Sequence, residues 1–203
     1  FGGSAGDLCS ITGDVWVSTS GSDNHGVGTP TEPFKTIKHA LENIAPSAEN
    51  PKTIYLDENT YSASNSGEIF PITLLSHTNL IGAGEGLTKI DAEGSGGVMV
   101  IDNSNNNTIS DLTITGGDVG SIFFGDGGTN YPDVTSSLNW VGAGIKMSYS
   151  SPTLTNVTIT KNTKAFYGGG IYSYFSNPTL TNVTISYNEA EHGGGMYSFN
   201  SVQ

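Results

Sequence analysis

GIKMSYSSPTLTNVTITKNT at Gly144–Thr163 returns twenty-six residues later as GIYSYFSNPTLTNVTISYNE at Gly170–Glu189, with twelve of the twenty aligned positions identical. A third copy, GGGMYSFNS at Gly193–Ser201, matches Gly168–Ser176 at an offset of twenty-five. Self-similarity at this period marks a solenoid, in which each repeat buries its apolar face only by stacking on its neighbours.

Inside one repeat Leu154, Val157 and Ile159 alternate with or adjoin Thr153, Thr155, Thr158 and Thr160, which is strand spacing. Pro152, Asn156, Asn162 and the glycines act as punctuation. The pattern predicts short strands over about 144–149, 152–155 and 157–160, three to a turn, and so an all-β fold, a β-helix with rungs of ~26 residues. Stacking then places Leu154 on Leu180, Val157 on Val183 and Ile159 on Ile185, at the ~4.8 Å spacing of neighbouring strands. Asn156 falls on Asn182, where a bend residue tolerates a left-handed backbone and hydrogen-bonds its copy in the next rung.

NTISDLTIT at Asn107–Thr115 fits the same frame, with Asp111 at the bend and Leu112 and Ile114 in the columns. Asn107 and Pro152 are forty-five residues apart, one 26-residue turn plus nineteen more. The surplus falls in a Gly-, Asp- and aromatic-rich stretch, an inserted loop at about 116–141, and loops of that length are usually functional or disordered.

Nineteen acids against seven lysines and no arginine give a formal net charge of −12, which leaves no basic stripe and excludes nucleic acid as a partner. Seventeen of the acids precede Val134, so the later repeats stack with little like-charge repulsion. Cys9 is alone, which excludes an intrachain disulfide, and no Cys/His set has zinc spacing. No apolar run is long enough for a membrane span, and no signal peptide is recognised. The chain starts at Phe1, which suggests a processed or excised fragment of a longer protein. Low Lys, no Arg and abundant Gly, Ser, Thr and Asn fit a secreted or cell-surface bacterial protein.

Residues 1–203 read as one β-helix domain, with 1–50 an N-terminal strand, loop and capping helix and 51–203 the rungs. Val15 and Val17 mark the strand; Phe34, Ile37, Leu41 and Ile44 share one helical face, suited to covering the open end of the first rung. TIYL (Thr53–Leu56), PITLL (Pro71–Leu75), NLIGAG (Asn79–Gly84) and VMVI (Val98–Ile101) follow as strands.

VSTSGSDNHGVGTPTEPFKTIKHAL, followed by TIYLDENTY and LIGAGEGLTKID, resembles the N-terminal module of secreted right-handed parallel β-helix proteins of the pectate-lyase-like superfamily. The GGGIYS and SNPTLTNVTIS copies are similar to repeats of bacterial surface β-helix proteins, including polymorphic-outer-membrane-protein-like passengers. Together these cover Val15 to the end. The resemblance implies a right-handed parallel β-helix and leaves two functions open, because this architecture hosts enzymes, adhesins and stalks.

The first reading is a structural or adhesive extracellular β-helix, without cofactor or catalysis, that binds a polysaccharide, a cell-surface glycan or a protein partner, or self-associates end to end through its open rung. Its ligand-binding candidates are Tyr172, Tyr197, Tyr149 and Lys146, with Phe175 and Phe199 nearby. They form an outward aromatic strip if Ile145, Ile171 and Met196 point inward. The second reading is a calcium-assisted lyase, or a hydrolase, acting on acidic polysaccharide. The superfamily's lyases take a uronate proton with a Lys or Arg beside calcium held by acids, which here implies Lys146 as base and Asp118, Asp126 and Asp133 as Ca2+ ligands. No local motif fixes those roles. Asp23 and Asn24 are read as turn-capping residues and His192 as a solvated loop residue.

Overall fold

The computed structural model of the protein describes residues 11–120 and 141–201. The chain winds as a right-handed parallel β-helix in which successive rungs pair in parallel along three faces, the hand that parallel crossovers almost always take. The first face carries β1 (Val15–Val17), β2 (Lys52–Leu56) and β5 (Thr78–Ile81), continued by the leading halves of β8 (Thr108–Thr115), β10 (Thr153–Thr160) and β13 (Thr179–Ser186). The trailing halves of those three long strands form the second face with β3 (Asn59–Tyr61) and β6 (Thr88–Asp91). The third face is a five-stranded sheet of β4 (Ile72–Thr73), β7 (Met99–Asp102), β9 (Ile145–Ser148), β12 (Ile171–Tyr174) and β15 (Met196–Phe199).

Each face contributes one inward column. On the first, Val15, Ile54, Leu80, Ile109, Leu154 and Leu180 are successive partners. On the second the order is Tyr61, Ile90, Ile114, Ile159 and Ile185. On the third it is Ile72, Met99, Ile145, Ile171 and Met196. Most of these side chains are fully buried, and each such Leu or Ile is worth roughly 1.5–3 kcal/mol of hydrophobic stabilisation. The expected pairs Leu154–Leu180, Val157–Val183 and Ile159–Ile185 all form.

Two strands expected as separate, 152–155 and 157–160, run as the single strand β10. Hydrogen bonding continues around the corner because one residue turns it. Asp111, Asn156 and Asn182 sit there with φ of 58°, 53° and 52°. A further short ladder, β11 (Ala165–Tyr167) with β14 (Ala190–His192), lies between the second and third faces and was not foreseen.

The other corners are held by polar ladders inside the coil. The Ser150, Ser176 and Ser201 hydroxyls accept from the backbone N–H of Ser104, Ser150 and Ser176 at 3.0–3.1 Å, each one rung back. Asn162, fully buried, accepts from Gly117 N–H at 2.9 Å and donates to Asn188 Oδ1 at 2.9 Å. Buried backbone groups at turns must find partners, and these side chains supply them rung after rung.

At the N-terminal end, α1 (Ile37–Asn43) buries Ile37, Ala40 and Leu41 in the same core as Phe34 and Ile44. Thr36 caps it, accepting from His39 N–H at 3.1 Å. Asp23 takes N–H donors from Lys35 and Thr36 and the Thr36 hydroxyl, at 2.7–3.1 Å. It therefore secures the start of the helix, twelve residues on, rather than only its own turn. The carboxylate of Glu68, buried, accepts from Ile37 and Lys38 N–H at 2.7 and 3.0 Å. That is two of the helix's unsatisfied N-terminal donors met from another rung.

Candidate aromatic binding face

Strand alternation on the third face turns Ile145, Ile171 and Met196 inward, so their neighbours point out. The first outward column runs Val100, Lys146, Tyr172, Tyr197, and the second Asp102, Ser148, Tyr174, Phe199. Tyr149 and Phe175 follow at the strand ends with φ of 50° and 45°.

Parallel register forces the rings to stack. Tyr172 and Tyr197 lie 6.0 Å apart with planes at 2°, Tyr174 and Phe199 5.6 Å at 7°, and Tyr149 and Phe175 5.3 Å at 12°. Tyr149 meets Tyr174 edge-on at 5.5 Å and 88°. Pairs of this kind contribute ~0.5–1.5 kcal/mol beyond their buried area. Tyr149, Tyr172 and Tyr197, singled out from the sequence, thus belong to one surface.

The ladder does not end where the sequence pattern does. Tyr167, on the unforeseen short ladder, packs on Tyr197 at 4.4 Å and on His192 at 5.2 Å, and Phe166 meets His192 edge-on at 5.4 Å. His192 is exposed but stacked on Tyr167 rather than merely solvated. The signal was present as Phe166–Tyr167 and Glu191–His192 before the glycine triplets, one repeat apart. It was obscured because His does not look like a copy of Tyr.

Exposure divides the surface. Tyr172 is only 9% exposed, covered by its neighbours, whereas Tyr149, Phe175 and Phe199 are 51%, 42% and 45% exposed. Burial pushes the Tyr172 phenol up, and the hydrogen bond to Tyr174 does the same for Tyr149. Lys146 is half-buried in its column, and that burial holds its ammonium below the usual lysine range against the opposing pull of Asp102.

Of the three expected calcium ligands, Asp126 and Asp133 lie outside the described residues. Asp118 is described, and its carboxylate is held by Lys164 at 2.6 Å, which keeps it below the usual carboxylate range. A carboxylate already neutralised by a lysine is a poor start for a cation site. Among the described residues no group of three or more His, Cys, Asp or Glu side chains is placed to hold a metal ion. Among the same residues no helix is long and apolar enough to cross a membrane.

Residues 19–201 match the model of a family described as protein of unknown function (DUF1565), and the chain belongs to that family. No curated protein matches it. Among solved structures it is similar to a pectin methylesterase mutant in complex with hexasaccharide IV, at 16% identity and a TM-score of 0.53, over 86% of this chain and 49% of that one. It is also similar to pectin methylesterase PemA from Erwinia chrysanthemi, at 14% identity and a TM-score of 0.47, over 84% of this chain and 50% of that one. The chain spans about half the length of the solved structures it matches. The first of these likenesses supports the parallel β-helix fold.

Proposed function

We propose that this member of the DUF1565 family is a carbohydrate-binding β-helix of the secreted or cell-surface kind, whose third face carries the glycan. The observation that carries the reading is the outward aromatic surface from Tyr149 to Phe199, repeated at rung spacing and left partly exposed beside Lys146. Aromatic rings offer apolar contact to sugar C–H faces, while their hydroxyls hydrogen-bond sugar oxygens. Lys146 favours a glycan that carries some negative charge. The hexasaccharide complex of a pectin methylesterase with the same architecture is in keeping with a polysaccharide along such a coil.

The test is retention on a glycan array and on immobilised pectin, alginate and glycosaminoglycans. Binding by the wild type that is lost in Tyr149→Ser/Phe175→Ser and reduced in Tyr172→Ser/Tyr197→Ser supports the reading. Retention unchanged by both pairs defeats it.

A second reading, lyase action on acidic polysaccharide, is favoured by one observation: burial lowers the Lys146 pKa toward the range of a useful base. Ultraviolet absorbance of unsaturated uronides reads it directly. Growth of that band with wild type, abolished by Lys146→Ala, would establish catalysis. A flat trace on the same panel, with and without calcium, leaves binding as the function.

A further inference from the structure

A second aromatic pair lies far from this face in sequence, at the N-terminal end of the coil. Val15 and Val17 point inward on β1, and Ile54 and Leu56 on β2, which turns Trp16 and Tyr55 outward as register partners. Their rings stack at 5.0 Å and 25°. They line a cleft of about 390 Å3, within the ~300–1,000 Å3 typical of small-molecule sites. The 18–33 loop closes over it with Ser20, Thr31 and Pro33, and Asp57 stands at its other side.

The lining selects a ligand class. Its one charged side chain among the described residues is Asp57, so anions such as uronates or phosphates find no counter-charge there. One oxygen of that carboxylate accepts from the Tyr61 hydroxyl, which also donates to Val17 O at 2.8 Å. The tie fixes the carboxylate's position while its second oxygen takes no protein donor among the described residues. Half-buried aromatic surface, hydroxyls from Ser20 and Thr31, and a held acceptor together suit a ring that has an apolar face and a polyhydroxylated rim. We infer that this cleft is a binding site for a neutral pyranose unit, with Trp16 and Tyr55 as the apolar contact and Asp57 as acceptor for sugar hydroxyls. It shares a ligand class, but no residue, with the face proposed above.

Trp16 is one of two tryptophans, so Trp140→Phe leaves it as the sole indole reporter. In that background, emission is titrated with cellohexaose, xylohexaose and mannohexaose, and separately with tetramethylammonium, since an aromatic pair beside a carboxylate also suits a cation. A saturable change with at least one neutral hexasaccharide is expected, weakened tenfold or more by Asp57→Asn and by Thr31→Arg, and unaltered by Tyr149→Ser/Phe175→Ser. Thr31 is exposed, so its arginine fills the cleft without touching the core. No response to any of the three sugars, or a response that Thr31→Arg leaves intact, overturns the assignment. A response to tetramethylammonium alone overturns it in favour of a cation cage. Glycan retention lost with the third-face variants but not with these sinks the cleft and leaves the proposed function standing; the reverse pattern does the opposite.

Discussion

Asn182 donates from Nδ2 to Asn156 Oδ1 at 2.9 Å across one rung, and Asn156 donates in turn to Asp111 Oδ1 at 2.8 Å. All three have positive φ, so one side-chain type both relieves the corner and ties it to the next turn. Asn156→Ala loses two hydrogen bonds at ~0.5–1.5 kcal/mol each and adds left-handed strain of ~1–2 kcal/mol. Asn156→Gly loses only the bonds. Urea unfolding is expected to rank wild type above Gly and Gly above Ala; Ala matching Gly would mean that the corner carries no backbone strain.

That corner was legible because Asn156 and Asn182 recur at the rung period and Asn is the one common side chain suited to both tasks. Leu154, Val157, Ile159 and their partners were legible for the same reason, since a column is a repeat. Asn162 was seen as punctuation but not as a buried ladder, because sequence does not say on which side of a turn an amide lies. The cleft was missed altogether. Trp16 and Tyr55 lie thirty-nine residues apart, and the intervening loop and helix hide the rung spacing that makes them neighbours. Glu68 was missed likewise, since nothing local links it to the first turn of α1.

Glu68→Ala leaves the N–H groups of Ile37 and Lys38 without their acceptor and is expected to cost ~1–3 kcal/mol. Its pH dependence has a definite sign. Burial raises the Glu68 pKa in the folded state against the opposing N–H bonds, so the native state holds the proton more tightly than the unfolded chain. The contribution from protonation is complete below the unfolded value and fades as pH rises through the folded one. The stability difference between wild type and Glu68→Gln should therefore move in favour of wild type as pH falls from neutral toward 4.5, the ordinary value. A difference that is flat, or that moves the other way, would show that the N–H bonds outweigh desolvation.

Gly144 is required for space. A Cβ there would sit 2.5 Å from Gly170 O and 2.9 Å from Asn162 Nδ2, both parts of the rung-to-rung network. Gly144→Ala should destabilise by ~1–3 kcal/mol, the usual range for overpacking. Gly86, with no heavy atom within 4 Å of an added Cβ, is the control and should change by less than ~0.5 kcal/mol. Equal melting temperatures for the two variants would show that the rungs separate easily.

The third face makes a prediction about its own cover. Tyr197 stacks on Tyr172, and Tyr172 neighbours Lys146 in the column, so Tyr197→Ser should expose both. Desolvation is the first cause of the raised Tyr172 pKa and of the lowered Lys146 pKa, so both groups should move back toward their ordinary values. Ultraviolet difference titration reads the tyrosinate, and the pH dependence of Lys146 acylation by an amine reagent reads the lysine. Tyr149→Ser/Phe175→Ser removes rings that are already half exposed, and should lower stability by no more than the ~0.5–1.5 kcal/mol of one aromatic pair plus a modest loss of apolar burial. If that pair also weakens glycan retention tenfold, the rings serve the ligand, because a loss of ~1.4 kcal/mol in binding would not follow from so small a change in the fold. If retention is untouched while stability falls, the ladder serves only to bind rung to rung.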